Sequence, residues 1–454
     1  MPVAHYVMSH AAERPSRLAV CGPEAELTYA EFAEKIHGAA RHLLRLGVGP
    51  GAVLAIGVAD PVELLTAVLA ADLAGATPLV GEHAWDEERW AQVAGAGVAR
   101  IDAPLPYVAG PPVSREARPE DLAWACFSSG STGRPRAIVR GRASWTESYK
   151  HLNDLTGIGP DDVVLVPGPL VSSLYAFAAL HTLATGATAV LPGRWPGGSL
   201  AAHLERASVV HVVPHRLPDV LKSPGSLRTA VVGGAALDQD ARAAADGAGV
   251  RVVAYYGATE LSFVAVDVDG GGLRPFPGVE IEVRAEAGGM LGEVWARSPW
   301  VSEGYLGEVA GPLRRDGDGW VSVGDVAEPY REGEVLRLRG RGDGAIQTGG
   351  ATVVPEDVEE VLRKVPGVGD VVVIGSPHPS LGAVVTAIVE ADHGSPPPRR
   401  ALLEAMARTR LDAAQRPRRW YVVREMPRNQ TGKPARALVA ALLSAGDPGL
   451  RRLA

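Results

Sequence analysis

Only two cysteines, Cys21 and Cys126, occur among 454 residues. Neither has a partner at metal-ligand spacing, so neither a disulfide framework nor a zinc site is expected, and both read as small core residues. Basic surplus is also missing. Lys and Arg number 45 against 52 Asp and Glu, a formal net charge of −7, which argues against nucleic acid or an anionic membrane as the main partner. No apolar run is long enough to span a bilayer. Residues 61–80 come nearest, but Glu63 and Asp72 interrupt them, and the stretch reads as a helix followed by a strand. The first residues lack a basic segment followed by an apolar one, so no signal peptide is read and a cytoplasmic location is expected.

What is present is an ordinary globular composition, 46% hydrophobic and 21% charged, in a chain too long for one core, so at least two domains are expected. The 54 glycines and 36 prolines are scattered among apolar runs and imply many turns rather than disorder. Thr28 and Glu31 have capping-box spacing before a helix whose apolar face is Phe32, Ile36, Ala39 and Leu43, with Gly47 at its end. A strand at 53–56, a helix at 62–74 and a strand at 78–80 form a βαβ pattern, which predicts a parallel sheet. Residues 103–120 read as a surface connection. Further strands are predicted at 163–166, 189–191, 209–213, 230–232 and 252–255. Beyond residue 270 the short runs 280–283, 293–296 and 335–338 suggest antiparallel β structure. The tail after about 343 reads as a compact α+β module: a helix opened by Pro355, strands at 371–374 and 384–389, a helix near 402–411, and a strand at 420–423 before a C-terminal loop.

Five segments carry candidate chemistry. Ser128, Ser129, Gly130, Ser131, Thr132 and Gly133, then Arg134 and Arg136, follow an apolar strand. Close-approach glycines, hydroxyls and positive charge there suit phosphate oxygens, although this is not a Walker loop. Tyr255, Tyr256, Gly257, Ala258, Thr259 and Glu260 follow another strand; an aromatic face can stack on a base and a carboxylate can hold Mg²⁺. Asp325, just after Gly324, can accept hydrogen bonds from ribose hydroxyls. Gly340, Arg341, Gly342, Asp343 and Gly344 suggest a joint with a charged lever. Lys433, beside Gly432, can reach a distant oxyanion. Taken singly, each segment is equally a routine turn or a solvated charge; in this order and spacing they are not.

Together they resemble the adenylate-forming superfamily of acyl-CoA synthetases, peptide-synthetase adenylation domains and luciferases, from Leu27 to Lys433. The resemblance implies an α/β N-terminal domain (1–340) with parallel sheets, flanking helices and a β-rich subdomain, a hinge at 341–344, and a mobile α+β domain at 345–454. It implies that residues 128–133 and Arg136 wrap the ATP phosphates, and that Gly233, Gly234, Ala235, Tyr256 and Gly257 line the adenine site. It further implies that Thr259 contacts the α-phosphate, Glu260 holds Mg²⁺, Asp325 binds the ribose, Arg341 sits near ribose and phosphates, Asp343 is the hinge, and Lys433 is catalytic. The family's loop lysine is arginine here, which keeps charge but changes geometry.

For the acid, the resemblance implies a pocket involving Ser172, Ser173, Tyr175, Ala235, Tyr255 and Phe263. Ser173 stands where amino-acid-activating members carry an Asp, which disfavours an α-amino acid, and the His many acyl-CoA synthetases place near Ser172 is absent. A small or medium acyl or aryl acid is expected. With few residues after Lys433, the expected acceptor is CoA; the alternatives are a carrier protein on another chain, or a silent nucleotide-binding protein without catalysis.

Overall fold

The computed structural model describes all residues except 1–2, 95–97, 128–135, 286–290, 308–310, 342–343, 345, 349–350, 380, 393–395, 430–431 and 454. The Ser128–Gly133 segment and Asp343 therefore lie outside the described residues, and for Arg341 only the backbone is described.

Local signals place the first elements. Thr28 caps the helix Tyr29–Arg45 in a full capping box with Glu31, and Phe32, Ile36, Ala39 and Leu43 are buried beneath it. Asp60 caps Pro61–Ala74, and left-handed Gly75 ends it. This second helix is buried nearly all round, so its run of apolar residues belongs to a core. Asp72, which interrupts that run, is itself buried: it pairs with Arg142 and accepts the Ala4 amide at 3.1 Å. It thereby ties down the helix Val3–Glu13, which periodicity did not single out.

Four sheets follow among the described residues. The largest has nine strands. Arg251–Ala258, Thr229–Gly233, Val209–Val212, Val163–Leu165, Thr188–Val190 and Leu18–Cys21 run parallel in that order, with antiparallel strands at both edges. A second sheet contains Leu122–Phe127 and the βαβ strands Val53–Ile56 and Thr77–Val80. The main core unites both sheets with the helices Tyr29–Arg45, Pro61–Ala74 and Ser173–Thr185. A small antiparallel sheet spans residues 280–341, and the fourth lies wholly within 346–452. The fold is a large α/β domain with parallel sheets and a small C-terminal α+β domain.

Two expectations change. The strand read at 335–338 begins instead at Leu338 and runs to Arg341. Leu336 only bridges Leu273, and regular pairing starts where Ala327 meets Leu338. The segment read as a C-terminal loop also contains a helix, Arg436–Ala445, stopped by left-handed Gly446. Arg436 anchors it through Glu356 and Glu359 of the helix Pro355–Arg363. Cys21 and Cys126 are buried and free, as expected. No helix among the described residues is long and apolar enough to cross a membrane.

Two core histidines set an acid limit on stability. His181 and His211 are 0% and 2% exposed, and burial pushes them down to about 4 and about 3. Both sit below the unfolded value near 6.5, so their contribution is complete above that pH and is lost as pH falls through 6 and 5. Going from pH 7 to pH 5 should cost about 2 kcal/mol for each histidine. His211→Val should flatten this loss by that amount in urea unfolding at the two pH values; an unchanged pH difference would refute it.

Candidate functional site

In an open parallel sheet, ligands bind beyond the carboxyl ends of the strands. Here the segments after Leu165, Val212, Gly233 and Ala258 share that edge.

The tightest is the three-residue connection Thr259, Glu260 and Leu261 between Arg251–Ala258 and Ser262–Asp267. Its geometry demands a left-handed residue at the far end, and Ser262 takes it with φ 63°, the one non-glycine with positive φ among the described residues. Gly257 is equally constrained: a Cβ there would fall 2.1 Å from the Ser262 carbonyl oxygen. Thr259 and Glu260 are thus held by backbone strain rather than left on a loose loop. Glu260 is 4% exposed and accepts a hydrogen bond from the Tyr305 hydroxyl at 3.1 Å. Burial and the Glu260 charge push the Tyr305 phenol up to about 12, with Arg136 acting the other way, which places Arg136 within electrostatic reach. The Thr259 hydroxyl meets the Ser173 hydroxyl at 2.9 Å, joining the catalytic candidate to the expected acid pocket.

Arg140 stands behind this connection. It is 4% exposed and donates to the Thr259 carbonyl at 2.9 Å, the Ser144 hydroxyl and carbonyl at 2.7 and 3.1 Å, and the Trp300 carbonyl. Burial pulls its guanidinium down to about 10, so it stays charged at neutral pH, with Glu260 among the charges supporting it. Sequence reasoning passed over Arg140. Its only signal was a charged residue in the apolar strand Ala137–Gly141.

The Tyr256 hydroxyl donates to Asp325 at 2.8 Å, so the expected base-stacking and ribose-binding residues share one wall. Asp325 pairs across its sheet with Arg341. Left-handed Gly234, φ 91°, turns the chain after Gly233, and a Cβ placed on it would lie 3.4 Å from Lys433 Nζ. The chain's C-terminal part thus delivers its ammonium to the same carboxyl edge. The Lys433 loop is braced by Arg428, which pairs with Asp370 at 2.9 Å and Glu390 at 2.5 Å and bonds the Gly432 carbonyl at 3.1 Å. His215, also missed from sequence, packs on Gly432; burial and neighbouring cations push it down to about 4, so it adds no like charge beside Lys433 at neutral pH.

Ser172, 8% exposed, precedes the helix Ser173–Thr185 and bridges Phe127, where the 128–133 segment begins. Tyr175 and Phe263 are buried, and half-buried Tyr255 meets Phe263 edge-on at 4.8 Å. A surface groove of about 520 Å³ beside Cys21 and Trp195 contains none of these residues. No group of three or more His, Cys, Asp and Glu at metal-binding distance occurs among the described residues. A divalent ion here fits the hard-cation pattern of one carboxylate, Glu260, completed by ligand oxygens.

Comparison with known proteins bears on the family and the fold. The AMP-binding enzyme family matches residues 7–101 and 96–306, and the AMP-binding enzyme C-terminal domain matches 357–433. An uncharacterized acyl-CoA ligase, YhfT, of Bacillus subtilis is 30% identical over 71% of this chain and 68% of its own. Feruloyl-CoA synthase of an Amycolatopsis species is 28% identical over 92% of this chain and 94% of its own. The O-succinylbenzoate coenzyme A synthetase MenE of Bacillus subtilis, solved with ATP and a magnesium ion, superposes with a TM-score of 0.82 at 23% identity, covering 95% of this chain and 98% of that one.

Proposed function

The chain belongs to the AMP-binding enzyme family of adenylate-forming enzymes, and we infer that it activates a carboxylic acid with ATP and passes the acyl group to the thiol of CoA. The observation that carries this reading is the convergence of Lys433, the strained Thr259–Glu260 connection and the Tyr256–Asp325 pair on one sheet edge.

The two reactants are both anions, so the barrier is largely one of charge. A carboxylate oxygen attacks the α-phosphorus while the bond to the β-phosphate oxygen breaks, giving acyl-AMP and pyrophosphate. Lys433 would bridge the carboxylate and α-phosphate and neutralise charge as it moves between them. Thr259 would donate to an α-phosphate oxygen. Glu260 would hold Mg²⁺, whose chemistry is to screen charge on the phosphates. Asp325 would accept from the ribose hydroxyls with Tyr256 against the adenine and Gly233, Gly234 and Ala235 below it. Residues 128–133 and Arg136 would surround the outer phosphates, and Arg341 would lie near the ribose. No base is needed, because the acid is already ionised at neutral pH. In the second step the CoA thiolate attacks the acyl carbon and AMP leaves. Residues 345–454 would swing about 341–344 between the steps, withdrawing Lys433.

Pyrophosphate release with ATP and Mg²⁺ across carboxylic acids, with and without CoA, tests this. Release with one acid group and formation of its CoA thioester supports the reading. Acylation of a carrier protein with indifference to CoA replaces the acceptor, and ATP binding without release for any acid removes the reaction. The hinge has its own test. Asp343→Pro should spare pyrophosphate release and slow thioester formation about tenfold or more, since proline fixes φ where rotation is needed. Equal loss in both half-reactions would count against the swing. A cytoplasmic location accords with this chemistry, in which both ATP and CoA are consumed.

A further inference from the structure

Two tyrosines flank the place where Lys433 stands. Along the parallel sheet, Leu165 pairs with Val210, and Val210 with Ala230. Gly233 closes the strand Thr229–Gly233 and Gly168 lies three residues beyond the strand Val163–Leu165, so both stand at the carboxyl edge of the sheet. Each supports one ring: a Cβ on Gly168 would fall 2.0 Å from the Tyr175 ring, and one on Gly233 would fall 2.2 Å from the Tyr255 ring. The strand between them leads to Val213, which shares with Lys433 Nζ the space over Gly234. Both rings therefore stand at the edge that Lys433 reaches, with Tyr175 within electrostatic reach of Tyr255. Behind Tyr255 lies an aromatic cluster. Phe263 meets Tyr255 edge-on at 4.8 Å, stacks on Phe276 at 4.8 Å and touches Phe177 at 5.1 Å.

The hydroxyls of Tyr175 and Tyr255 have no hydrogen-bond partner among the described residues, although Tyr175 is only 4% exposed. Burial pushes both phenols up, so each remains a protonated donor. Neither hydroxyl oxygen is among the fully buried unpartnered atoms, so both are open to a ligand oxygen, and a hydrogen bond made there adds affinity. Aromatic faces favour a flat ring, and the packed cluster of Phe263, Phe276 and Phe177 behind Tyr255 stands against a long chain.

Resting on the adenylation reading, we propose that Tyr175 and Tyr255 border a slot that selects a compact aromatic carboxylic acid with a ring oxygen, received by their hydroxyls. The experiment is pyrophosphate release by the wild-type protein, Tyr175→Phe and Tyr255→Phe with benzoate, the three monohydroxybenzoates, hexanoate and palmitate. At least one hydroxybenzoate should exceed benzoate by about tenfold in kcat/KM, and the aliphatic acids should be poorest. Each Phe variant, folded by its melting temperature, should cut the hydroxybenzoate-to-benzoate ratio by about tenfold, mainly through KM. A preference for hexanoate or palmitate, or ratios unmoved in both variants, would overturn the substrate class while leaving the reaction intact. Wild-type release with no acid, in this or a wider panel, would instead bring down the reaction and this inference with it.

Discussion

Replacing Lys433 by alanine should slow acyl-AMP synthesis by at least about 10²–10³-fold, the cost of losing one preorganised group at a developing charge. ATP binding should change little, because the proposed mechanism holds the nucleotide elsewhere: at the wall of Tyr256 and Asp325, 2.8 Å apart, and at the turn of Gly233 and Gly234. The size of the effect follows from where the ammonium sits. It reaches over Gly234, 3.4 Å from where a Cβ would stand, on a loop braced by Arg428 against Asp370 and Glu390. Such a placement costs no reorganisation when the two anions meet. Lys433→Arg should not restore the rate, since a planar fork does not fill the space of a point charge. Pyrophosphate exchange and calorimetric ATP binding provide the check, and wild-type exchange by the alanine variant would remove Lys433 from the mechanism.

The second large effect belongs to Arg140→Met. This guanidinium is buried and, among the described residues, bonds only neutral oxygens, those of Ser144, Thr259 and Trp300. Removing it strands several acceptors and takes a positive charge from behind buried Glu260. A loss of about 3–5 kcal/mol in urea unfolding is expected. Because the Thr259 carbonyl loses its anchor, the Mg²⁺ concentration for half-maximal pyrophosphate release should rise as well. Arg140→Lys keeps the charge but cannot span three partners, and should recover only part of both effects. Wild-type stability in the methionine variant would show that the bonds at Arg140 are not needed. A normal Mg²⁺ requirement in a folded lysine variant would confine Arg140 to a structural role.

How much of this was legible depended on how local each signal was. The capping box at Thr28 and Glu31 was readable because cap and partner lie three residues apart and answer each other directly. Strands such as Val53–Ile56 were readable as short apolar runs between turns. The helix Arg436–Ala445 was not: it has no side-chain cap, and its anchor is an ion pair to a helix some 80 residues earlier. Asp72 was legible only in part. It read as a charge that interrupts an apolar run, and the run is indeed a helix and a strand, but its buried partner Arg142 lies 70 residues on.

The same division runs through the site. By itself the sequence determined the family resemblance, the alternation of strands and helices, and the kinds of residue offered to nucleotide, metal and acid, because spacing and composition are properties of short segments. Only the tertiary structure decided which of them meet. Tyr256 reaches Asp325 across 69 residues, Arg140 holds Thr259 across 119, Lys433 arrives at Gly234 from the small C-terminal domain, and the rings of Tyr175 and Tyr255 come to one sheet edge from a helix and a strand. These contacts follow from strand register and from the packing of distant segments, and a one-residue slip in register would turn strand residues such as Tyr256 and Arg140 to the other face.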